Sequence, residues 1–249
     1  MNSLLERHFE KILRGDASAT EDYSKNLICI ARVGGKPETL DSSGTKTLLI
    51  RLQKAISFPD AHMLVKRTTE EYGVLAVQSP FAPFLSYTCI VKNRKIAYTT
   101  LYLYRPLRNL MPHITRMPKS KNASKIFGKH FRAMFSMKAK VIVKDYAENG
   151  VVMTNMAKAT CDGKEQIYDF CNHLMHKSWA LMKKLNFHGI TSVRWSTKSA
   201  GDGLLLFTCE APAMKMIMTE TYWVEGGKIQ FECSIAHGPM LNLIHKILY

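Results

Sequence analysis

Two hydrophobic rhythms alternate along the chain. From Gly163 onward, Ile167, Phe170, Cys171, Leu174, Leu181 and Leu185 fall on one stripe when projected at about 100° per residue, which predicts an amphipathic helix packed on a sheet. From Met214 to Val224 the period drops to two. Met214, Met216, Met218, Glu220, Tyr222 and Val224 share one face, and Lys215, Ile217, Thr219, Thr221 and Trp223 share the other. The same succession of patterns occurs twice. His8-Phe9 returns as His130-Phe131, each inside a helical pattern, and Asp22-Tyr23 returns as Asp145-Tyr146 before an apolar strand. Gly44 and Gly163 each open a helix, and His62 and His188 each start an alternating strand. Gly73-Val74-Leu75 is echoed by Gly203-Leu204-Leu205, and the turn Val91 to Ile96 by Val224 to Ile229. The offsets run 122, 123, 119, 126, 130 and 133, changing only across expected loops and helix ends. Each half therefore reads as helix, short helix, strand, helix and four strands, an α+β order. The alternative is one α+β domain whose halves share common patterns.

Composition adds limits. With 249 residues, 46% of them apolar and 22% charged, the chain has an ordinary globular balance that excludes disordered and disulfide-scaffold classes. No stretch reaches the roughly 18 to 20 apolar residues that cross a bilayer. The opening MNSLLERHFEKILRGD mixes charges among its apolar residues, unlike a signal peptide. Six single cysteines without a CxxC pair suit reduced thiols, so a cytoplasmic location is expected. The charge is less ordinary. Of a net +15, eleven charges lie in residues 105–144, which hold eleven Lys or Arg and no Asp or Glu. Pro106, Pro112 and Pro118 break any helix there. We expect a first domain over 1–107, a basic linker over 108–120 and a second domain over 121–249.

The segments DYAENGVVMTN…DGKEQIYDF (145 to 170), FHGITSVRW (187 to 195), GDGLLLFTCEA (201 to 211) and ETYWVEGGKIQFECSI (220 to 235) together resemble the nuclear-transport-factor-2-like superfamily, in particular its SnoaL-like branch. The resemblance covers most of the second half and, more weakly, the first, so it implies a tandem duplication. It also implies the fold: two cone-shaped half-barrel domains, each with helices packed on a curved, mainly antiparallel sheet and closing one end over a pocket. Its members include polyketide cyclases, ketosteroid isomerases, dehydratases and plain binding modules, so the fold alone selects no chemistry. The duplication further implies a pseudo-dimer within one chain, with a homodimer also open.

Within that frame Glu220 is the leading candidate. A lone carboxylate on a methionine-lined wall is desolvated, which raises its pKa toward the range useful for proton transfer. The competing expectation is that Glu220 reaches water or pairs with Arg194. His188, at a strand start, is the second acid–base candidate, against a structural role bonded to a carbonyl. Tyr146 is placed to donate to a substrate oxygen, unless it only packs. Met216, Met218, Tyr222, Trp195 and Phe170 are the expected pocket lining. In the isomerase branch a catalytic aspartate follows the first apolar strand, where this chain has Thr154 and, in the first copy, Ala31. The first copy also has Tyr87 where the second has Glu220, so any active pocket belongs to the second copy.

Other signals carry less. His173-x-x-His176 lies off the apolar stripe with no third ligand in register, so no metal is implied. No nucleotide-binding or nucleophile motif occurs, and no cofactor is implied. The Lys and Arg interleaved with Phe127, Phe131 and Phe135 could meet a phosphate backbone or an acidic protein. The spacing of the aromatics, however, is that of the core side of a helix, which favours a solvated lysine face and leaves a nucleic-acid site as the less favoured alternative. The leading expectation is a protein that binds a small hydrophobic or polycyclic molecule and, if an enzyme, works as a cofactor-free lyase, isomerase or cyclase. The alternative is a non-catalytic ligand-binding or protein-interaction module with a basic surface for an anionic partner.

Overall fold

The structure, a computed structural model, describes residues 3–56, 60–80, 82–104, 110–157, 159–184, 193–212 and 216–239, with the backbone alone at 135 and 177–184. The chain forms two compact units, Met1–Lys119 and Ser120–Tyr249. In the first, α1 (Leu4–Leu13) and a 3-10 turn (Ala17–Asp22) lead into β1 (Tyr23–Val33), the short β2 (Glu38–Leu40) and α2 (Ser42–Ala55). Four strands follow: β3 (His62–Thr68), β4 (Tyr72–Gln78), β5 (Leu85–Lys92) and β6 (Lys95–Leu103). The second unit repeats the series. It has α3 (Lys121–Phe135), α4 (Ala139–Ile142) running into a 3-10 turn (Val143–Asp145), β7 (Tyr146–Thr154), β8 (Cys161–Asp162) and α5 (Lys164–Lys184). Its last strands are β9 (Arg194–Ala200), β10 (Leu204–Ala211), β11 (Met216–Glu225) and β12 (Lys228–His237).

Each unit holds one six-stranded sheet, in the orders β2-β1-β6-β5-β4-β3 and β8-β7-β12-β11-β10-β9. Only β1/β6 and β7/β12 pair in parallel; the other pairs are antiparallel. Each unit is thus the α+β half-barrel expected from the sequence, with one short strand more than the pattern predicted. The helices cover one face of each sheet. Leu5, Phe9 and Ile12 of α1 and Leu48, Leu49 and Leu52 of α2 pack with Leu75, Val77, Tyr87 and Leu101 in the first core. In the second, Phe127 of α3 and Ile167 and Cys171 of α5 pack with Leu205, Phe207, Tyr222 and Val224.

Local chemistry explains the element ends. Ser3, Asp41 and Ser120 cap α1, α2 and α3 by accepting from the backbone N–H groups of Glu6, Gly44 and Ala123. The matched hairpins turn through two left-handed residues each, Asn93 and Arg94 (φ 53° and 58°) and Gly226 and Gly227 (φ 59° and 73°), as a tight hairpin with the right twist requires. Beyond the turn, β6 and β12 carry equivalent bulges. Val91 pairs with Ile96 but Ile90 with Tyr98; Val224 pairs with Ile229 but Trp223 with Phe231. One extra residue changes the phase of the alternation, so the side chains beyond it swap faces.

The register also corrects one sequence match. Val91 N–H donates to the Glu71 carbonyl and Val224 N–H to the Gly203 carbonyl, so Gly203 corresponds to Glu71 rather than to Gly73. A two-residue slip keeps every side chain on its face, which is why alternation cannot detect it. In the basic stretch, Leu110 is buried, Arg51 donates to the carbonyls of Leu110 and Met111, and Thr115 N–H donates to the Thr39 carbonyl. Residues 110–115 are therefore held on the first unit.

Two glycines allow a test of this packing. A Cβ on Gly203 would lie 1.9 Å from the Val224 carbonyl oxygen, whereas one on Gly128, within α3, would meet nothing within 4 Å. Gly203→Ala should lower stability by roughly 2 to 4 kcal/mol, and Gly128→Ala should raise it by up to about 1 kcal/mol. Denaturant titration of both variants distinguishes these outcomes.

Candidate functional site

The inner face of the second sheet can be followed rung by rung. The first rung runs Trp195, Cys209, Met218 across β9, β10 and β11; the second runs Thr197, Phe207, Glu220, Ser234, Thr154; the third runs Ser199, Leu205, Tyr222, Glu232, Val152. Exposure falls along this series. Trp195 is 62% exposed, Cys209 and Met218 are half-buried, and Glu220 and Glu232 are 4% and 7% exposed. Two carboxylates therefore sit below an apolar rim, on adjacent strands and adjacent rungs.

Each acid has its own phenol. Tyr222 Oη donates to Glu220 Oε2 at 2.6 Å, and Ser234 Oγ lies 3.4 Å from Oε1. The Tyr146 hydroxyl, at the start of β7, donates to Glu232 Oε2. Burial, reinforced by the nearby Glu232, pushes the Glu220 carboxyl up from 4.5 to about 7, against the opposing pull of Tyr222, His130 and Ser234. Glu232 is raised too, chiefly by burial, with His130 and Tyr146 opposing. The charge of Glu232 thus opposes ionisation of Glu220, so the two acids titrate as a pair.

Behind Glu232 stands a buried histidine. His130 Nε2 on α3 is 3.8 Å from Glu232 Oε2 and 3.5 Å from Tyr146 Oη, while Nδ1 is 3.4 Å from Asp145 Oδ2. Lys129 Nζ approaches Asp145 Oδ1 at 2.7 Å. Burial would raise the Asp145 carboxyl, but His130 and Lys129 outweigh it and hold the group below its usual value.

The first unit has the same frame without the acids. His8 Nδ1 lies 3.0 Å from Asp22 Oδ2, and Lys11 Nζ 3.2 Å from Asp22 Oδ1. His8 Nε2 meets Tyr87 Oη at 3.2 Å, and Tyr23 Oη meets Tyr87 Oη at 2.8 Å. By register, Tyr87 occupies the place of Glu220 and Thr99 that of Glu232. Neutral hydroxyls thus hold these two places. Burial lowers the His8 pKa, favouring its uncharged ring.

The predicted residues distribute as follows. Glu220 faces inward, bonded to Tyr222 and Ser234, while Arg194 is exposed on β9 opposite Glu210. Tyr146 is buried with its hydroxyl on Glu232. Met218 and Phe170 are partly buried against the core, and Tyr222 is fully buried within it. Met216 is half-buried at the start of β11, opposite Ala211. Trp195 packs its ring on Phe131, centroids 5.1 Å apart. His188, Leu185 and Met214 lie outside the described residues. Glu232, His130 and Asp145 are the members that site reasoning from sequence did not single out. His130 and Asp145 were visible as repeated positions; Glu232 was hidden by the bulge in β12.

No family model matches the chain, and no curated protein matches it. Among solved structures, it is similar to a steroid delta-isomerase from Pseudomonas aeruginosa, at 11% identity and a TM-score of 0.39, over 53% of this chain and 93% of that one. It is similar to an uncharacterized protein with a cystatin-like fold from Silicibacter pomeroyi, at 13% identity and a TM-score of 0.38, over 51% and 85% of the two chains. A third is an NTF2-like protein of unknown function from Cytophaga hutchinsonii, at 10% identity and a TM-score of 0.34, over 51% and 97%. Among the described residues, no helix is long and apolar enough to cross a membrane.

The acid pair sets a pH dependence with a definite sign. Because the folded Glu220 value, about 7, lies above the ordinary 4.5, the native state binds more protons than the unfolded chain between them. The Glu220 contribution to stability should therefore fall as pH rises from about 4.5 through about 7, by on the order of 3 kcal/mol, while His8 and His237, whose values burial lowers, contribute in the opposite sense over part of this range. Glu220→Gln should flatten this decline. Glu232→Gln should shift it to lower pH by removing the like charge. Urea unfolding across this pH range reads both effects.

Proposed function

We propose that the second unit binds a small apolar molecule bearing a carbonyl group and moves a proton on it without a cofactor. The observation that carries this reading is the pair Glu220 and Glu232, buried beneath the apolar rim of one unit, where the other unit has Tyr87 and Thr99. The fold holds its shape without these acids, so their burial serves something other than folding.

Glu220 is the proton-transfer group. Raised to about 7, its carboxylate takes a proton from the carbon beside the carbonyl near neutral pH and returns it to the same or another atom. Tyr222 holds the carboxylate in place, and Glu232, tied to Tyr146, keeps it basic. Met216, Met218, Phe170 and Trp195 form the apolar wall. His188 is the proposed second acid–base group. This amounts to isomerase or lyase chemistry on a hydrophobic or polycyclic substrate.

A second reading follows from the first unit, which keeps the fold with no acid pair: the second unit is a ligand-binding module without turnover. Deuterium exchange separates the two. Protein purified gently is analysed by native mass spectrometry, any bound small molecule is released, and that molecule is returned to fresh protein in deuterium oxide. Wild-type protein should incorporate deuterium into the ligand. Glu220→Gln should bind it yet exchange at least about 100-fold more slowly. Binding with no exchange by either protein supports the binding module, and a protein that carries no small molecule counts against both.

A further inference from the structure

The two units open with the same helix but present different surfaces. Leu5, His8 and Phe9 of α1 correspond to Phe127, His130 and Phe131 of α3, and these positions make equivalent buried contacts in their own units. On the outer side the helices diverge. Where α1 and its cap have Ser3, Glu6 and Glu10, α3 has Lys125, Gly128 and Arg132. Glu10 faces Lys66 Nζ at 3.9 Å, so the first helix balances its charge. The fold therefore does not require a basic face.

On α3, Lys121, Lys125, Gly128 and Arg132 are three or four residues apart in turn and form one stripe. Lys121, Lys125 and Arg132 are exposed, and among the described residues none forms an ion pair. Residues 110–144 hold nine Lys or Arg and no Asp or Glu, and of these Lys129 closes on the buried Asp145. Gly128 sits mid-stripe. Glycine weakens a helix interior, and here a Cβ would meet nothing within 4 Å, so packing among the described residues gives no reason for it. A missing side chain at the centre of a cationic stripe lets an anionic chain approach the helix closely.

We propose that this face of α3 binds the phosphate backbone of a nucleic acid, independently of sequence. Phosphate contacts need cations and close approach, which this stripe offers. A lipid surface would need an apolar face to insert, but the apolar face of α3 packs on its own sheet. An acidic protein would use aromatic or apolar anchors, and none of the large exposed apolar side chains lies on the Lys121–Arg132 stripe, Trp195 packing on Phe131 outside it.

The test is fluorescence anisotropy of the full chain with a labelled random-sequence DNA duplex and the matching single strand, from about 50 to 200 mM salt. Either strand form should bind with an affinity that falls steeply with salt. The triple variant Lys121→Gln, Lys125→Gln, Arg132→Gln should flatten the log–log salt slope by about 3 units. Gly128→Glu with Arg132→Glu, which puts the first unit's residues at half-buried Gly128 and exposed Arg132, should weaken binding at least about 10-fold while leaving the circular dichroism spectrum unchanged. Glu220→Gln should bind as wild type, which separates this surface from the acid site. Absence of binding at the lowest salt, or unchanged binding by both multiple variants, overturns the proposal. So does capture by phosphatidylserine vesicles, lost in the same variants, when neither DNA form binds.

Discussion

One contact made by a buried histidine recurs in both halves of the chain, and the interior of each unit is arranged around it. A histidine on the opening helix meets an aspartate at the end of the following 3-10 turn: His8 with Asp22, His130 with Asp145. The next residue is in each case a tyrosine that begins the first strand, with its hydroxyl turned into the interior. Helix, turn and strand are thereby tied by polar groups in a region otherwise filled by hydrocarbon. In the first unit the tie is a hydrogen bond, His8 Nδ1 with Asp22 Oδ2 at 3.0 Å; in the second it is an electrostatic contact at 3.4 Å in which His130 Nδ1 and the Asp145 oxygens form no hydrogen bond.

With that tie common to both units, their differences stand out. The first has phenols and a threonine in its interior, neutral groups that a core tolerates. The second puts two acids in the same places, each matched with a hydroxyl donor but still carrying mutual repulsion. The opening helices diverge in the opposite sense, acids on α1 giving way to cations and a glycine on α3. One framework thus carries a plain interior with a balanced exterior, and an acidic interior with a basic exterior.

Much of this was legible in the residues. The repeated His-Phe and Asp-Tyr pairs, the hairpins and the helix from Gly163 gave the order of elements, because helical and strand periods differ enough to be told apart. Strict alternation along β11 placed Glu220 on the inner face. The same rule failed for Glu232. Counting by twos from Ile229 puts Phe231, Cys233 and Ile235 inside and Glu232 outside, but the bulge beyond the turn reverses that phase. Gly73 and Gly203 were matched two residues out of step, an error that periodicity cannot expose. The repeat also marked His130 and Asp145 as positions worth noticing, yet not what they touch, since contacts between distant elements leave no periodic trace.

The bulge in β6 has a further meaning. It is the same deformation that aims Glu232 inward in the second unit, and in the first it already aims Thr99 at the interior, across from the strand that carries Tyr87. The backbone needed to present two acids is present in the half that has none. Gaining or losing such a site on this scaffold is then a matter of two side chains, with no strand to re-register and no loop to rebuild. A chain of this kind carries the same backbone twice, with the acid pair on one copy only.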